Sequence, residues 1–103
     1  MEQLRIYTLT DKNTAEIYFT EHWAKHIKSL PKFGFQFKGV WIGNTPETEN
    51  QVIALVSFPD HANIEEMTER YMKSPDFTDD MSGFDRSKIT NVETKIMKSA
   101  EVT

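Results

Sequence analysis

The stretch from Gln51 to Phe58 is apolar on both parities, with Val52, Ala54, Val56 and Phe58 on one side of an extended chain and Ile53 and Leu55 on the other. A strand of that kind has to be covered twice. The rest of the chain offers two helical stripes, one of Phe19, Trp23, Ile27 and Leu30 and one of Ile64, Met67, Tyr71 and Met72, each spaced at three to four residues. Two helices cover one face of a small sheet, and a large bare apolar face is rare on a soluble monomer. The pattern therefore predicts a symmetric homodimer in which two sheets pack face to face.

The order of elements follows from the same periodicities. Residues 3–9 read as a strand, and Asn13 stands three residues before Glu16 in a capping-box spacing that predicts a helix over about 14–30, ended by Pro31 and Gly34. Residues 35–43 read as a second strand, with Phe35, Phe37 and Trp41 on one face and Val40 and Ile42 on the other. The run Asn44 to Asn50 is turn-rich, residues 51–58 form the third strand, and Asn63 with Glu66 repeats the capping box ahead of the second helix. Ser74-Pro75 breaks that helix, residues 76–81 suit one more short turn, and residues 89–97 form the last strand. The fold class is α+β: a β-α-β-β-α-β, ferredoxin-like subunit with a four-stranded antiparallel sheet, as one domain over residues 1–103.

With 103 residues and no cysteine, the chain has no disulfide framework, thiolate nucleophile or zinc ribbon. The opening residues lack a basic segment followed by an apolar one, and no apolar run approaches membrane-spanning length, so no leader, no membrane partner and a cytoplasmic location are expected. Net charge is −4, unevenly spread. Residues 60–85 hold eight acids against Arg70 and Lys73, whereas Lys25, Lys28, Lys32 and Lys38 lie in a stretch without acids. An acidic chain without a registered aromatic recognition strand is not a nucleic-acid binder. Phosphate-binding glycine loops, a GxSxG elbow and a calcium-loop order of ligands are all missing.

Four segments carry a family likeness: Leu4-Arg5-Ile6-Tyr7-Thr8-Leu9, the run from His26 to Gly34, Gly39-Val40-Trp41, and the run from Asn50 to Leu55. In order and spacing the chain resembles the NIPSNAP family of the dimeric α/β-barrel superfamily. The resemblance implies a ferredoxin-like subunit whose sheet pairs with a second copy into a barrel. It implies no single reaction, because the superfamily spans cofactor-independent quinone-forming monooxygenases, haem-degrading enzymes, lactone isomerases and members without an assigned activity.

Arg5 and Tyr7 share one face of the first strand, so an arginine fork and a phenolic hydroxyl are available to an anionic ligand, unless Arg5 is instead paired with an acid such as Glu93. His22 and His26 stand one helical turn apart, but without a third ligand or an HExxH order they predict no metal site. A lone His26 suits proton transfer at neutral pH. Phe37 and Trp41, with Phe35, Tyr18 and Trp23, either wall an aromatic pocket or are core, and Gly39 between them leaves room for a ligand. The expected function is a cofactor-free homodimer that binds an aromatic or anionic small molecule through Arg5, Phe37 and Trp41. In it His26 or Tyr7 transfers a proton in monooxygenase or isomerase chemistry. The alternative is a non-catalytic dimeric interaction domain whose aromatic residues are core.

Overall fold

The structure is a computed structural model that describes residues 1–100; Glu101 to Thr103, the end of the expected 1–103 domain, lie outside the described residues. Strand β1 (Glu2–Leu9) leads into a continuous helical segment made of α1 (Lys12–Ile17), a π-turn (Tyr18–His22), α2 (Trp23–Ser29) and a 3₁₀ turn (Leu30–Phe33). Strands β2 (Gln36–Ile42) and β3 (Gln51–Ser57) follow, then α3 (Ile64–Met72), the short α4 (Pro75–Asp80), a 3₁₀ turn (Arg86–Lys88) and β4 (Ile89–Met97). The strands form one antiparallel sheet in the order β2-β3-β1-β4, the split-βαβ arrangement. No helix among the described residues is long and apolar enough to cross a membrane.

Register assigns the two faces. Val52, Ala54 and Val56, all fully buried, lie beside Tyr7, Arg5 and Gln3 on β1, and this is the face that the helices cover. Leu4 aligns with Leu55 and Ile6 with Ile53, which places these four on the opposite face. The strand with two apolar parities thus has one covered and one uncovered side in the subunit.

Three sequence expectations change. The first is the parity of β2. Phe37 pairs with Val56 and Gly39 with Leu55, so Lys38 is an extra residue, a β-bulge. One added residue reverses every later side chain, and Phe37 falls on the helix face with Val40 and Ile42 while Trp41 turns to the outer face. There the indole folds back over Gly39, whose Cβ, if present, would meet the ring at 2.5 Å. Gly39 makes room for Trp41 and not for a ligand.

The second is the inner stripe of the first helix. Tyr18, His22, Trp23, His26 and Leu30 are buried, whereas Ile27 is 36% exposed. The Trp23 amide bonds back to the Tyr18 carbonyl, five residues away. Residues five apart stand roughly 140° apart on an α-helix; the π-turn brings Tyr18 and Trp23 onto one side, with ring centroids 6.3 Å apart. Both histidines go inside because both find hydrogen-bond partners there.

The start of the first helix differs as well. Asp11, and not Asn13, caps α1: its carboxylate accepts from the Thr14 amide at 2.7 Å. Those amide and hydroxyl donors hold its carboxyl below the usual carboxylate range. Asn63 caps α3 as its spacing predicts, accepting from the Glu66 amide at 3.1 Å. Asp11→Ala and Asn63→Ala should each lower stability by about 1 kcal/mol in urea unfolding, and Asn13→Ala should change it by less than about half of that. A full-sized loss at Asn13 would contradict this start of α1.

Candidate functional site

Between the helix face of the β1–β4 half of the sheet and α2, α3 and α4 lies an open-mouthed cavity of about 580 Å³, within the range of small-molecule sites. Gln3, Arg5 and Tyr7 enter it from β1 because alternate residues share a face. Tyr18, Trp23 and His26 come from the first helix, Thr68 and Tyr71 from α3, Phe77 from α4, and Val92 and Thr94 from β4. The cavity opens at β4 because the helices end short of this edge strand, leaving Val92 and Ile96 at least half exposed.

Arg5 is 7% exposed. Its Nε donates to Gln3 Oε1 at 2.7 Å, one terminal nitrogen reaches Thr68 Oγ1 at 3.4 Å, and the guanidinium lies 5.4 Å from the centroid of the Phe35 ring. Among the described residues no carboxylate lies within 4.0 Å of it. The pairing with Glu93 does not form, since Glu93 aligns with Ile6 and Thr94 with Arg5. A buried cation held by neutral acceptors alone carries a desolvation cost that an anion in the cavity would offset. Ala54, directly across the ladder, gives the arginine its space.

The second feature is a chain of polar contacts running away from the cavity. His26 Nδ1 stands 2.5 Å from the Tyr71 hydroxyl, which donates to Asp80 Oδ2 at 2.5 Å. His22 Nδ1 donates to the main-chain oxygen of Asp80 at 2.8 Å, satisfying a carbonyl at the end of α4. All four residues are buried. Burial pushes His26 down to about 4, aided by the His22 and Arg5 charges and opposed by Asp80. Burial and the Asp80 contact push the Tyr71 phenol well up, and burial does the same to Tyr18. At neutral pH the site therefore presents a neutral imidazole among protonated phenols. The Trp23 Nε1 donor is buried with no partner.

Of the residues expected from the sequence, Arg5, Tyr7 and His26 come together on this cavity. Phe37 and Trp41 do not line it: Phe37 packs on Trp23 with centroids 6.3 Å apart, and Trp41 is 52% exposed on the outer face. Tyr71 and Asp80 were not foreseen as site residues. Phe77, Asp80 and Met81 share a helix face by their three- and four-residue spacing, which is the one signal that singles Asp80 out of its acidic run. No three His, Asp or Glu side chains among the described residues gather as a metal site.

The NIPSNAP family profile matches residues 1–102. A NIPSNAP protein of unknown function from Agrobacterium tumefaciens is 20% identical and superposes with a TM-score of 0.79, covering 99% of this chain and 89% of that one. A dimeric ferredoxin-like protein from an uncultured marine organism is 12% identical, with a TM-score of 0.66 over 99% of this chain and 97% of the other. An antibiotic biosynthesis monooxygenase is 7% identical, with a TM-score of 0.59 over 98% and 100%. No curated protein matches the chain.

Proposed function

The chain belongs to the NIPSNAP family, and from that premise we propose that it is a homodimer that binds an aromatic or otherwise apolar small molecule bearing an anionic group. The ligand sits between sheet and helices, with Arg5 on the anion, Tyr7 as a hydroxyl donor and His26 transferring a proton. The observation that carries this reading is the buried Arg5 facing a cavity of about 580 Å³ without a carboxylate partner. Around it Tyr18, Trp23 and Phe77 offer flat apolar walls. Proton transfer by an unaided imidazole needs no cofactor and is a step shared by isomerisation and cofactor-independent oxygenation. The antibiotic biosynthesis monooxygenase contributes a shared fold only.

Titration with aromatic carboxylates and their uncharged amides, followed by tryptophan fluorescence and thermal shift, tests it. Arg5→Gln should weaken the carboxylates roughly ten- to a hundredfold and the amides far less, because charge-assisted hydrogen bonds carry about 1.5–3 kcal/mol. Equal losses in a folded variant would make Arg5 a packing residue. Silence from every compound would favour a non-catalytic interaction domain.

Self-association rests on the outer sheet face, where Leu4, Ile6, Ile53 and Leu55 join the exposed Trp41. Covering such a face removes more than about 1,200 Å² in a specific interface. Light scattering at micromolar concentration should give about twice the 12.0 kDa subunit mass. A monomer would refute the barrel while leaving the cavity intact.

A further inference from the structure

We infer that Tyr71 and Asp80 are positioning residues that hold His26 as its Nδ1–H tautomer, leaving Nε2 as a proton acceptor directed to the cavity. The inference deepens the proposed function and rests on it for the identity of the bound molecule, while the tautomer itself follows from the number of protons available. Asp80 as a carboxylate can only accept. The Tyr71 hydroxyl has one proton and donates it to Asp80 Oδ2. Toward His26 the same oxygen is then an acceptor, and Nδ1, 2.5 Å away, must be the donor. A neutral imidazole carries one N–H, so Nε2 holds a lone pair.

The surroundings fix the ring as well as the proton. Trp23 stands edge-on at 5.0 Å between centroids, and Phe77 stacks at 6.2 Å. Nε2 makes no hydrogen bond within the protein, and it is not sealed off, since the one buried unpartnered side-chain nitrogen or oxygen among the described residues is Trp23 Nε1. His26 itself lines the cavity. The charged and titratable groups around the ring are Arg5 and Tyr7 from β1, Tyr18 and His22 from its own helix, Tyr71 from α3, Asp80 from α4 and, over the Phe77 ring, Arg86. Only Asp80 among them is a carboxyl. It lies on the Nδ1 side, at 3.6 Å, where it would stabilise the imidazolium that forms when Nε2 accepts a proton from a bound acid. Orientation of a base through its second nitrogen is how such a side chain is kept in one working state.

The test is carried out on the ligand-free protein labelled with ¹⁵N-histidine, reading ring-nitrogen shifts and two-bond proton couplings near pH 7. The expected wild-type signature for His26 is a protonated Nδ1 and an unprotonated Nε2, favoured by at least about tenfold. Asp80→Asn can donate as well as accept, so the direction of the chain is no longer imposed, and the Nε2–H form should become populated. A wild-type His26 protonated on Nε2 would overturn the inference, as would an unchanged tautomer in a folded Asp80→Asn protein. The wild-type spectrum decides the matter even where that variant does not fold. An Nδ1–H signature without any ligand binding would remove the proposed function alone; carboxylate binding with the opposite tautomer would remove this inference alone.

Discussion

Trp23→Ala is expected to lower the unfolding free energy by about 3–5 kcal/mol, the range for emptying an aromatic side chain from a packed interior. Trp23 is 2% exposed and touches Tyr7, Tyr18, His26 and Phe37, with centroids 5.0–6.3 Å away. Little can collapse into the space, because two of these neighbours sit on a strand and the others are held by their own helix. Trp41→Ala should behave differently. Its indole lies over Gly39 on the outer face, so under the proposed dimer its loss should depend on protein concentration, growing where that dimer is populated and fading on dilution. Urea unfolding of both variants across a dilution series separates the two roles. A small effect at Trp23, or a concentration-independent effect of similar size at Trp41, would contradict these assignments.

Acidification is expected to produce the other large effect. His26 lies at about 4 in the folded protein against an ordinary 6.5. Between those values the unfolded chain binds a proton that the folded one refuses. The contribution is therefore intact above pH 6.5, declines as pH falls, and is fully lost below about pH 4, a loss of about 3 kcal/mol. Roughly 2 kcal/mol of it should be gone by pH 5, before the low-lying carboxyls of Asp11, Glu69 and Asp85 are neutralised. The measurement is the difference in urea stability between pH 7 and pH 5 for wild type and His26→Gln. Subtraction cancels the other histidines and the acids. Equal slopes in the two proteins would show that His26 does not carry the effect.

The order of elements was legible because each rests on local periodicity, and the four strands and α3 lie within a residue or two of where alternation and the Asn63 cap put them. Asp11 displaced Asn13 as a cap because two acceptors stand near the same turn and only three-dimensional geometry selects between them. The β2 faces were not legible. Nothing in Gln36-Phe37-Lys38-Gly39 announces that Lys38 is the unpaired residue, since a bulge depends on what the neighbouring strand does. For the site, Arg5 and Tyr7 could be read from alternation along one strand. Asp80 and Tyr71 could not be read from their positions alone, because the Tyr71–His26 contact spans forty-five residues of sequence and Asp80 joins it through Tyr71, nine residues further on, once α4 folds back beneath the first helix.

The π-turn at Tyr18–His22 has a consequence for how the cavity wall tolerates a change in chain length. A helix gains a turn of this kind by accepting one more residue than its hydrogen-bond ladder needs, and it loses the turn by giving one up. A deletion inside this segment would leave Tyr18 and Trp23 four residues apart on an unbroken α-helix, still one turn from each other on the same side, and the cavity would keep that wall. The five-residue spacing wound without the turn is what would set them roughly 140° apart, so the wall depends on spacing and turn changing together and not on either alone. The inner face of this helix is therefore tolerant of a one-residue change in length and sensitive to whatever straightens the turn while the spacing stays at five.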